Sequence, residues 1–295
     1  MENSVKKNIG MIGIGMMGHG IASNIVKHGY PLTVLEHPGN QPLDTLKAAG
    51  ARSATLAADL AAWSDVVILV LTGSPQVEAV LTGEGGVLAG LRPGSIVIDC
   101  STALPSSTVR MAQAVQAAGS RFIDTPMTRT PKEAAEGRLN LLCGGDAALL
   151  EECRPLLSCF AENIFHAGPI GAGHSMKLLH NFVSLGTVAL IAEAAACSAS
   201  HGVAPEAFVD ILAKGGGGGV ALERLRPYLL SGDTSSLRFS LANACKDLNY
   251  YNTMAGDADA SRGIAAAVLT TLEGAHRSAP DALMPELSTL LAGSK

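Results

Sequence analysis

Six short apolar runs punctuate the first half of the chain, and their spacing restricts the fold more than any other feature. They are "NIGMIGI" (8–14), "PLTVLE" (31–36), "DVVILVL" (65–71), "SIVIDCS" (95–101), "RFIDTP" (121–126) and "LNLLCGG" (139–145). A continuous run of Val, Ile and Leu bounded by Gly, Pro or polar residues suits a strand buried on both faces. Helix-patterned stretches separate most of the early runs. The first covers 16–28 and closes at Gly29, a residue suited to a helix C′ position. Strand, helix and strand in repetition predict an α/β fold class: a Rossmann-type, doubly wound parallel sheet. The stretch "TPMTRTPKEAAEGRLN" (125–140) reads as neither a clean strand nor a clean helix.

After about residue 168 the character changes. "SMKLLHNFVSLGTVALIAEAAACSASHG" (175–202) is one helix-favouring run without proline, ended by Gly202. Its His, Asn, Ser and Glu residues point to a buried core helix and not to a membrane span. The remainder reads as further helices, with "GGGGG" (215–219) as a flexible loop between two of them. The expected organisation is a dinucleotide-binding Rossmann domain over 1–167. An all-α domain for substrate binding and dimerisation follows over 168–295.

Charged residues are only 16% of the chain and apolar residues 47%, so a large core of Ala, Val, Ile, Leu and Met is expected. The net charge of −5 is thinly spread with no basic block, which excludes nucleic acid or an anionic membrane as the main partner. Low charge also suits self-association, and the long apolar helix of the second domain points to a homodimer or homotetramer. The cysteines at 100, 143, 153, 159, 197 and 245 form no CxxC pair. They predict buried, reduced thiols, no metal site and a cytoplasmic protein. "MENSVKK" leads into an apolar run too short and too glycine-rich for a secretion signal.

Gly13-Ile-Gly15-Met-Met-Gly18 ends the first expected strand and opens the first expected helix. That context makes a GxGxxG a dinucleotide fingerprint. The first glycine allows the turn, the second admits a pyrophosphate, and the third lets helix and strand pack closely. Glu36 ends the second strand, placed to accept hydrogen bonds from the adenosine ribose and to repel a 2′-phosphate. No Arg or Lys lies in residues 35–41, so NAD is the expected cofactor. His37 leaves NADP possible.

These features, with "DCSTALPSST" (99–108), "GAGHSMKLLHN" (171–181) and "KDLNYY" (246–251), resemble the β-hydroxyacid dehydrogenase family. That family includes 3-hydroxyisobutyrate dehydrogenases and tartronate semialdehyde reductases. The resemblance implies Lys177 and Asn181 as the catalytic pair. The residues agree: positions i and i+4 share a helix face, and an ammonium can protonate the alkoxide left by hydride transfer. Relatives often have Asn-Asn where this chain has His180-Asn181, and His180 reads as a packing residue or one that supports the site from behind. The resemblance also implies that Ser101 and Thr102 line nicotinamide and substrate, and that Lys246 closes over the cofactor. The cofactor site it implies is Gly13, Gly15, Met16, Met17, Gly18, Glu36, Leu71, Thr72, Thr102 and Lys246.

Most of the family reads Pro-Val-Ser-Gly-Gly where this chain has Pro126-Met127-Thr128-Arg129-Thr130. Thr128 can replace the serine hydroxyl. Arg129 and Thr130 replace the glycines, so the anion site must differ. A similar Arg-Thr pair occurs in members resembling sulfolactaldehyde reductase, where the arginine is taken to hold the sulfonate. Arg129 is therefore expected to grip a carboxylate or sulfonate, the alternative being a pairing with a nearby glutamate such as Glu133. The implied function is hydride transfer between NAD(H) and a small anionic hydroxy acid or semialdehyde. Substrates of the 3-hydroxyisobutyrate, tartronate semialdehyde, 4-hydroxybutyrate or sulfolactaldehyde type fit. The alternatives are an imine reductase on the same scaffold, against which Lys177 argues, or a cofactor-binding module without catalysis.

Overall fold

The computed structural model describes residues 6–293. They divide into two compact units, one running through Lys177 and one starting at Leu178. The first opens with β1 (Ile9–Ile12), α1 (Met16–Lys27), β2 (Leu32–Leu35), α2 (Asp44–Ala48), β3 (Arg52–Ala54), α3 (Ala57–Trp63) and β4 (Val66–Leu69). It continues with α4 (Ser74–Thr82), α5 (Val87–Gly90), β5 (Ile96–Asp99), α6 (Pro105–Ala117) and β6 (Arg121–Asp124). β7 (Met127–Thr128), α7 (Pro131–Glu136), β8 (Leu139–Gly144), α8 (Ala147–Leu157) and β9 (Ala161–Gly168) complete its sheet and helices.

The strands form one sheet in the order β3-β2-β1-β4-β5-β6-β8-β7, with β9 along β8. β1 to β6 pair in parallel. Val34, Met11, Ile68, Ile98 and Ile123 lie side by side across five strands, each at most 1% exposed. Val67, Val97 and Phe122 line up on the opposite face, each at most 2% exposed. Both faces are covered, which is why these strands read as unbroken apolar runs. The strand order reverses between β1 and β4, and in open α/β sheets ligands bind outside the carboxyl ends of the strands at such a point.

Three departures from the sequence expectation have physical causes. The parallel arrangement stops at β6, because β8 runs antiparallel to β6 and β7. β3 and β9 were not anticipated; most of their side chains are exposed or half-buried, so they carry no apolar signature. The ambiguous 125–140 stretch holds a two-residue strand and a short helix. Thr130 and Glu133 form a reciprocal capping box on α7, and Pro131 fills its first turn. The signal Thr-Pro-Lys-Glu was present in the sequence and overlooked.

α9 (Ala172–Ser200) is followed by α10 (Pro205–Lys214), α11 (Val220–Ser231), α12 (Leu241–Asp257), α13 (Gly263–Ser278) and α14 (Leu287–Ala292). The pentaglycine links α10 to α11. The architecture is thus the Rossmann-type sheet followed by an all-helical domain. Leu185, Val188, Ala189 and Ala192 of α9 join Leu225, Leu241, Leu248 and Leu272 in the helical core. α9 is long and apolar enough by composition to cross a membrane, with a mean hydropathy of 1.7 in its most apolar window. Only one face is buried, however: Val183 and Leu190 are 65% and 63% exposed. Four cysteines are buried as expected, but Cys197 is exposed and Cys245 half-buried.

Candidate active site

The glycines at the β1–α1 turn have the division of labour that a phosphate cradle requires. Gly13 sits at φ +96, and a Cβ there would lie 2.1 Å from the Val70 carbonyl oxygen. A Cβ on Gly18 would lie 1.9 Å from the Gly13 carbonyl oxygen. A Cβ on Gly15 would meet nothing within 4 Å, so the backbone faces open space there. No side chain caps α1 and its first turn holds no acidic residue. Met16 is exposed and Met17 half-buried beside it. Uncapped amides at a helix start, beneath an open glycine at the sheet's reversal point, fit a dinucleotide pyrophosphate.

Glu36 follows β2 and lines a hollow with His37, Pro38, Asn40, Gln41 and Leu43. Asn40 builds one wall: its side chain donates to the Leu35 carbonyl at 2.9 Å and accepts from the Ile14 amide at 3.2 Å. The Lys47 ammonium donates to Glu36 at 2.9 Å. That bond, followed by one from Ser53, holds the Glu36 carboxyl below the usual carboxylate range. The 35–41 window therefore missed the nearest cation, which α2 brings back to the strand end.

Ser101 is 2% exposed, and its hydroxyl accepts the Leu71 amide at 2.9 Å, tying the ends of β4 and β5 together. Leu71 and Thr102 are half-buried and Thr72 is exposed. Beneath this turn lies a group that sequence reasoning missed. Asp124, at the end of β6, accepts the amides of Gly171 and His174 at 2.8 and 2.9 Å. The His174 ring places Nδ1 2.7 Å from the Thr108 hydroxyl and donates from Nε2 to the Ser101 carbonyl at 3.1 Å. Asp99 accepts the Ser101 amide at 2.9 Å. Burial pushes the Asp124 carboxyl above its ordinary range, against the pull of His174 and the two amides. The only sequence signal was an aspartate closing each of two apolar strands.

In the segment after β6, Thr128 is buried, and its hydroxyl accepts from Asn140 at 3.2 Å. Arg129 sits at φ +82, where a non-glycine residue is uncommon. Its guanidinium donates to the Glu162 carboxylate and to the Arg138 carbonyl. The alternative of a glutamate pairing is thus realised with Glu162 and not with Glu133, which is engaged by the Thr130 amide and hydroxyl in the α7 cap.

Lys177 is half-buried, and Asn181 lies one turn further along α9. In the helical unit, Asn181 donates to Asp247 Oδ2 at 2.6 Å and meets His180 Nδ1 at 3.1 Å. The Lys246 ammonium is 3.1 Å from Asp247 Oδ1 in an ion contact without hydrogen-bond alignment, and 5.6 Å from the Tyr250 ring centroid. Phe182 and Tyr251 stack at 4.3 Å beside them. The structure thus brings Asn181, Asp247 and Lys246 together, and His180 supports Asn181 from the exposed side.

Comparison with known proteins gives a consistent picture. Residues 8–168 match the NAD binding domain of 6-phosphogluconate dehydrogenase, and residues 171–283 match the NAD-binding domain of NADP-dependent 3-hydroxyisobutyrate dehydrogenase. An NAD-dependent L-serine dehydrogenase from Pseudomonas aeruginosa is 37% identical over 222 residues, 75% of this chain and 74% of that one. A 2-(hydroxymethyl)glutarate dehydrogenase from Eubacterium barkeri is 33% identical over 237 residues, 79% of this chain and 77% of that one. The solved structure of Mycobacterium tuberculosis 3-hydroxyisobutyrate dehydrogenase with L-serine superposes with a TM-score of 0.87. It covers 97% of this chain and 99% of its own, and at 24% identity it speaks to the fold.

Proposed function

The chain belongs to the β-hydroxyacid dehydrogenase family of NAD-dependent oxidoreductases, and from that premise we propose that it interconverts a small anionic 3-hydroxy acid and its semialdehyde, with Lys177 moving the proton. The observation that carries this reading is the Lys177–Asn181 pair on one face of α9, with the Asn181 amide held by buried Asp247. The substrates named for the two relatives, L-serine and 2-(hydroxymethyl)glutarate, both place a primary alcohol β to a carboxylate. A substrate of that class suits this chain.

A nicotinamide cofactor held here would supply the hydride acceptor or donor. The turn at Gly13–Gly18 would hold its pyrophosphate through backbone amides, and Glu36 would accept from its ribose hydroxyls. Lys177 gives a proton to the carbonyl oxygen in reduction and takes it from the alcohol in oxidation. Asn181 keeps the reacting oxygen in register with that ammonium. Arg129 presents its planar fork to the substrate anion, exchanging Glu162 for it, with Thr128 and Thr130 alongside. We assign cofactor binding to residues 1–167 and substrate binding and self-association to 168–295, with Lys246 counted among the cofactor-binding residues. The exposed apolar residues Met176, Leu179, Val183 and Leu190 along α9 support a homodimer or homotetramer.

Steady-state assays of a hydroxy-acid panel with NAD and NADP test the proposal. The panel should contain L-serine, 3-hydroxyisobutyrate, 2-(hydroxymethyl)glutarate and a sulfonate analogue. Turnover of at least one anionic 3-hydroxy acid is expected. Activity confined to imines or uncharged alcohols would overturn it.

A further inference from the structure

The group beneath Ser101 takes no direct part in the chemistry above, yet it is built with unusual economy. Asp99, Asp124 and His174 are each fully enclosed. Each is tied to a different segment. Asp99 holds the Ser101 amide, Asp124 caps the start of α9 through Gly171 and His174, and the His174 ring reaches back to the Ser101 carbonyl and the Thr108 hydroxyl. Backbone closes over the carboxylate. A Cβ on Gly144 would lie 2.6 Å from Asp124 Oδ1, and one on Gly173 would lie 2.7 Å from Asp124 Oδ2. Asp99 Oδ2 has no hydrogen-bond partner among the described residues and sits 3.9 Å from His174 Nε2.

We propose that His174 is a positioning residue for proton transfer: its imidazole locks the turn at Ser101 to the first turn of α9 and thereby fixes Lys177, three residues further on. Positions i and i+3 lie on the same side of a helix, so the ring and the lysine share one rigid turn. Without the ring, the α9 start keeps its Asp124 bonds but loses its tie to Ser101 and Thr108, and the Ser101 carbonyl loses its buried donor. A displacement of the general acid by a fraction of an ångström is enough to lower kcat, since productive geometry is narrow. The ring's hydrogen-bond partners, Ser101 and Thr108, lie outside the β1–α1 turn, so the pyrophosphate cradle keeps its own glycine geometry. The inference rests on the role given to Lys177 above, so its test needs one arm that does not depend on turnover.

His174→Leu fills the space without polar atoms, whereas His174→Gln restores one donor and one acceptor. The Leu variant is expected to lower kcat by about 10- to 100-fold. KM and the NADH dissociation constant, read by fluorescence titration, should change far less than kcat. The Gln variant should recover most of kcat. In the substrate-free protein, hydrogen exchange of the peptide spanning 169–178 should accelerate in the Leu variant and not in the Gln variant. Wild-type kcat in the Leu variant overturns the proposal. So does unchanged exchange, or a matching loss of NADH affinity, which would mark a general structural role. If the Leu variant does not fold, Thr108→Val removes the Nδ1 partner more gently and is read in the same way. If the wild-type protein turns over no hydroxy acid, the activity reading fails by itself, and the exchange arm still decides whether His174 ties α9 to Ser101.

Discussion

Asn181 donates its side-chain amide to Asp247 Oδ2 over 2.6 Å, in a part of the helical unit where Asp247 is 3% exposed. A charge-assisted hydrogen bond of this kind is worth about 1.5–3 kcal/mol, or roughly 10- to 150-fold in a rate it controls. Asp247→Ala is therefore expected to lower kcat by that order and to loosen Lys246, which shares the carboxylate. Parallel measurement of kcat and NADH affinity checks both. Loss of affinity with unchanged kcat would move Asp247 from Asn181's support to the cofactor's.

Lys177→Ala should lower kcat by about 10²–10⁴, the usual worth of positioned proton transfer. That corresponds to about 3–5 kcal/mol of transition-state stabilisation. NADH binding should be nearly unchanged. Near-normal turnover of a good substrate would remove Lys177 from the mechanism.

Arg129 and Glu162 make opposite predictions. Arg129→Lys keeps the charge and loses the fork, and should lower kcat/KM on anionic substrates by roughly 10- to 150-fold. Uncharged aldehydes should be largely spared. Glu162→Gln removes the carboxylate that now occupies the guanidinium, and should lower KM for the same anions. Equal losses on charged and uncharged substrates in the Arg129 variant would mean that the residue only ties β9 to the segment after β7.

Cofactor choice turns on Glu36 and Lys47. Glu36→Ala should relax the preference for NAD, because the carboxylate that repels a 2′-phosphate is gone. Lys47→Ala should sharpen it, because the cation beside Glu36 is the group available to meet that phosphate. The ratio of kcat/KM for the two cofactors reads both effects. A Lys47→Ala variant that gains NADP activity would show the pairing to be irrelevant.

The Glu152 carboxyl is held down to about 2 by a hydrogen bond from Arg121, then one from Lys7. Its folded value lies below its unfolded value, so its stabilisation is present above pH of about 4.3 and is lost as pH falls toward about 2. The pair is partly exposed, which limits the effect to about 1 kcal/mol or less. Glu152→Gln should flatten the decline of melting temperature across that acid window and leave the neutral plateau slightly lower. An unchanged acid limb would assign the decline to other carboxylates.

What could be read from the sequence depended on range. β1, β4 and β5 were legible because burial on both faces writes a continuous apolar run into the chain. β3 and β9 were not, because edge strands facing solvent carry no such run. Gly13, Gly15 and Gly18 were legible for a similar reason: the turn they build is local. Lys177 and Asn181 were singled out by the family resemblance, and helical spacing only agreed with it. The contacts that were missed join distant positions. Asp124 meets His174 across 50 residues and Arg129 meets Glu162 across 33, and no periodicity announces either. Lys47 and Glu36 are only 11 residues apart, but their meeting depends on the return of α2.

Arg129 holds a left-handed backbone conformation that costs an ordinary residue about 1–2 kcal/mol and costs glycine almost nothing. Under the anion-binding proposal, thermostability and substrate choice pull in opposite directions at this single position. A directed-evolution campaign scored on melting temperature would favour Arg129→Gly, relaxing the backbone and erasing the guanidinium in one step. Selection on anionic-substrate turnover would restore the arginine and accept the strain.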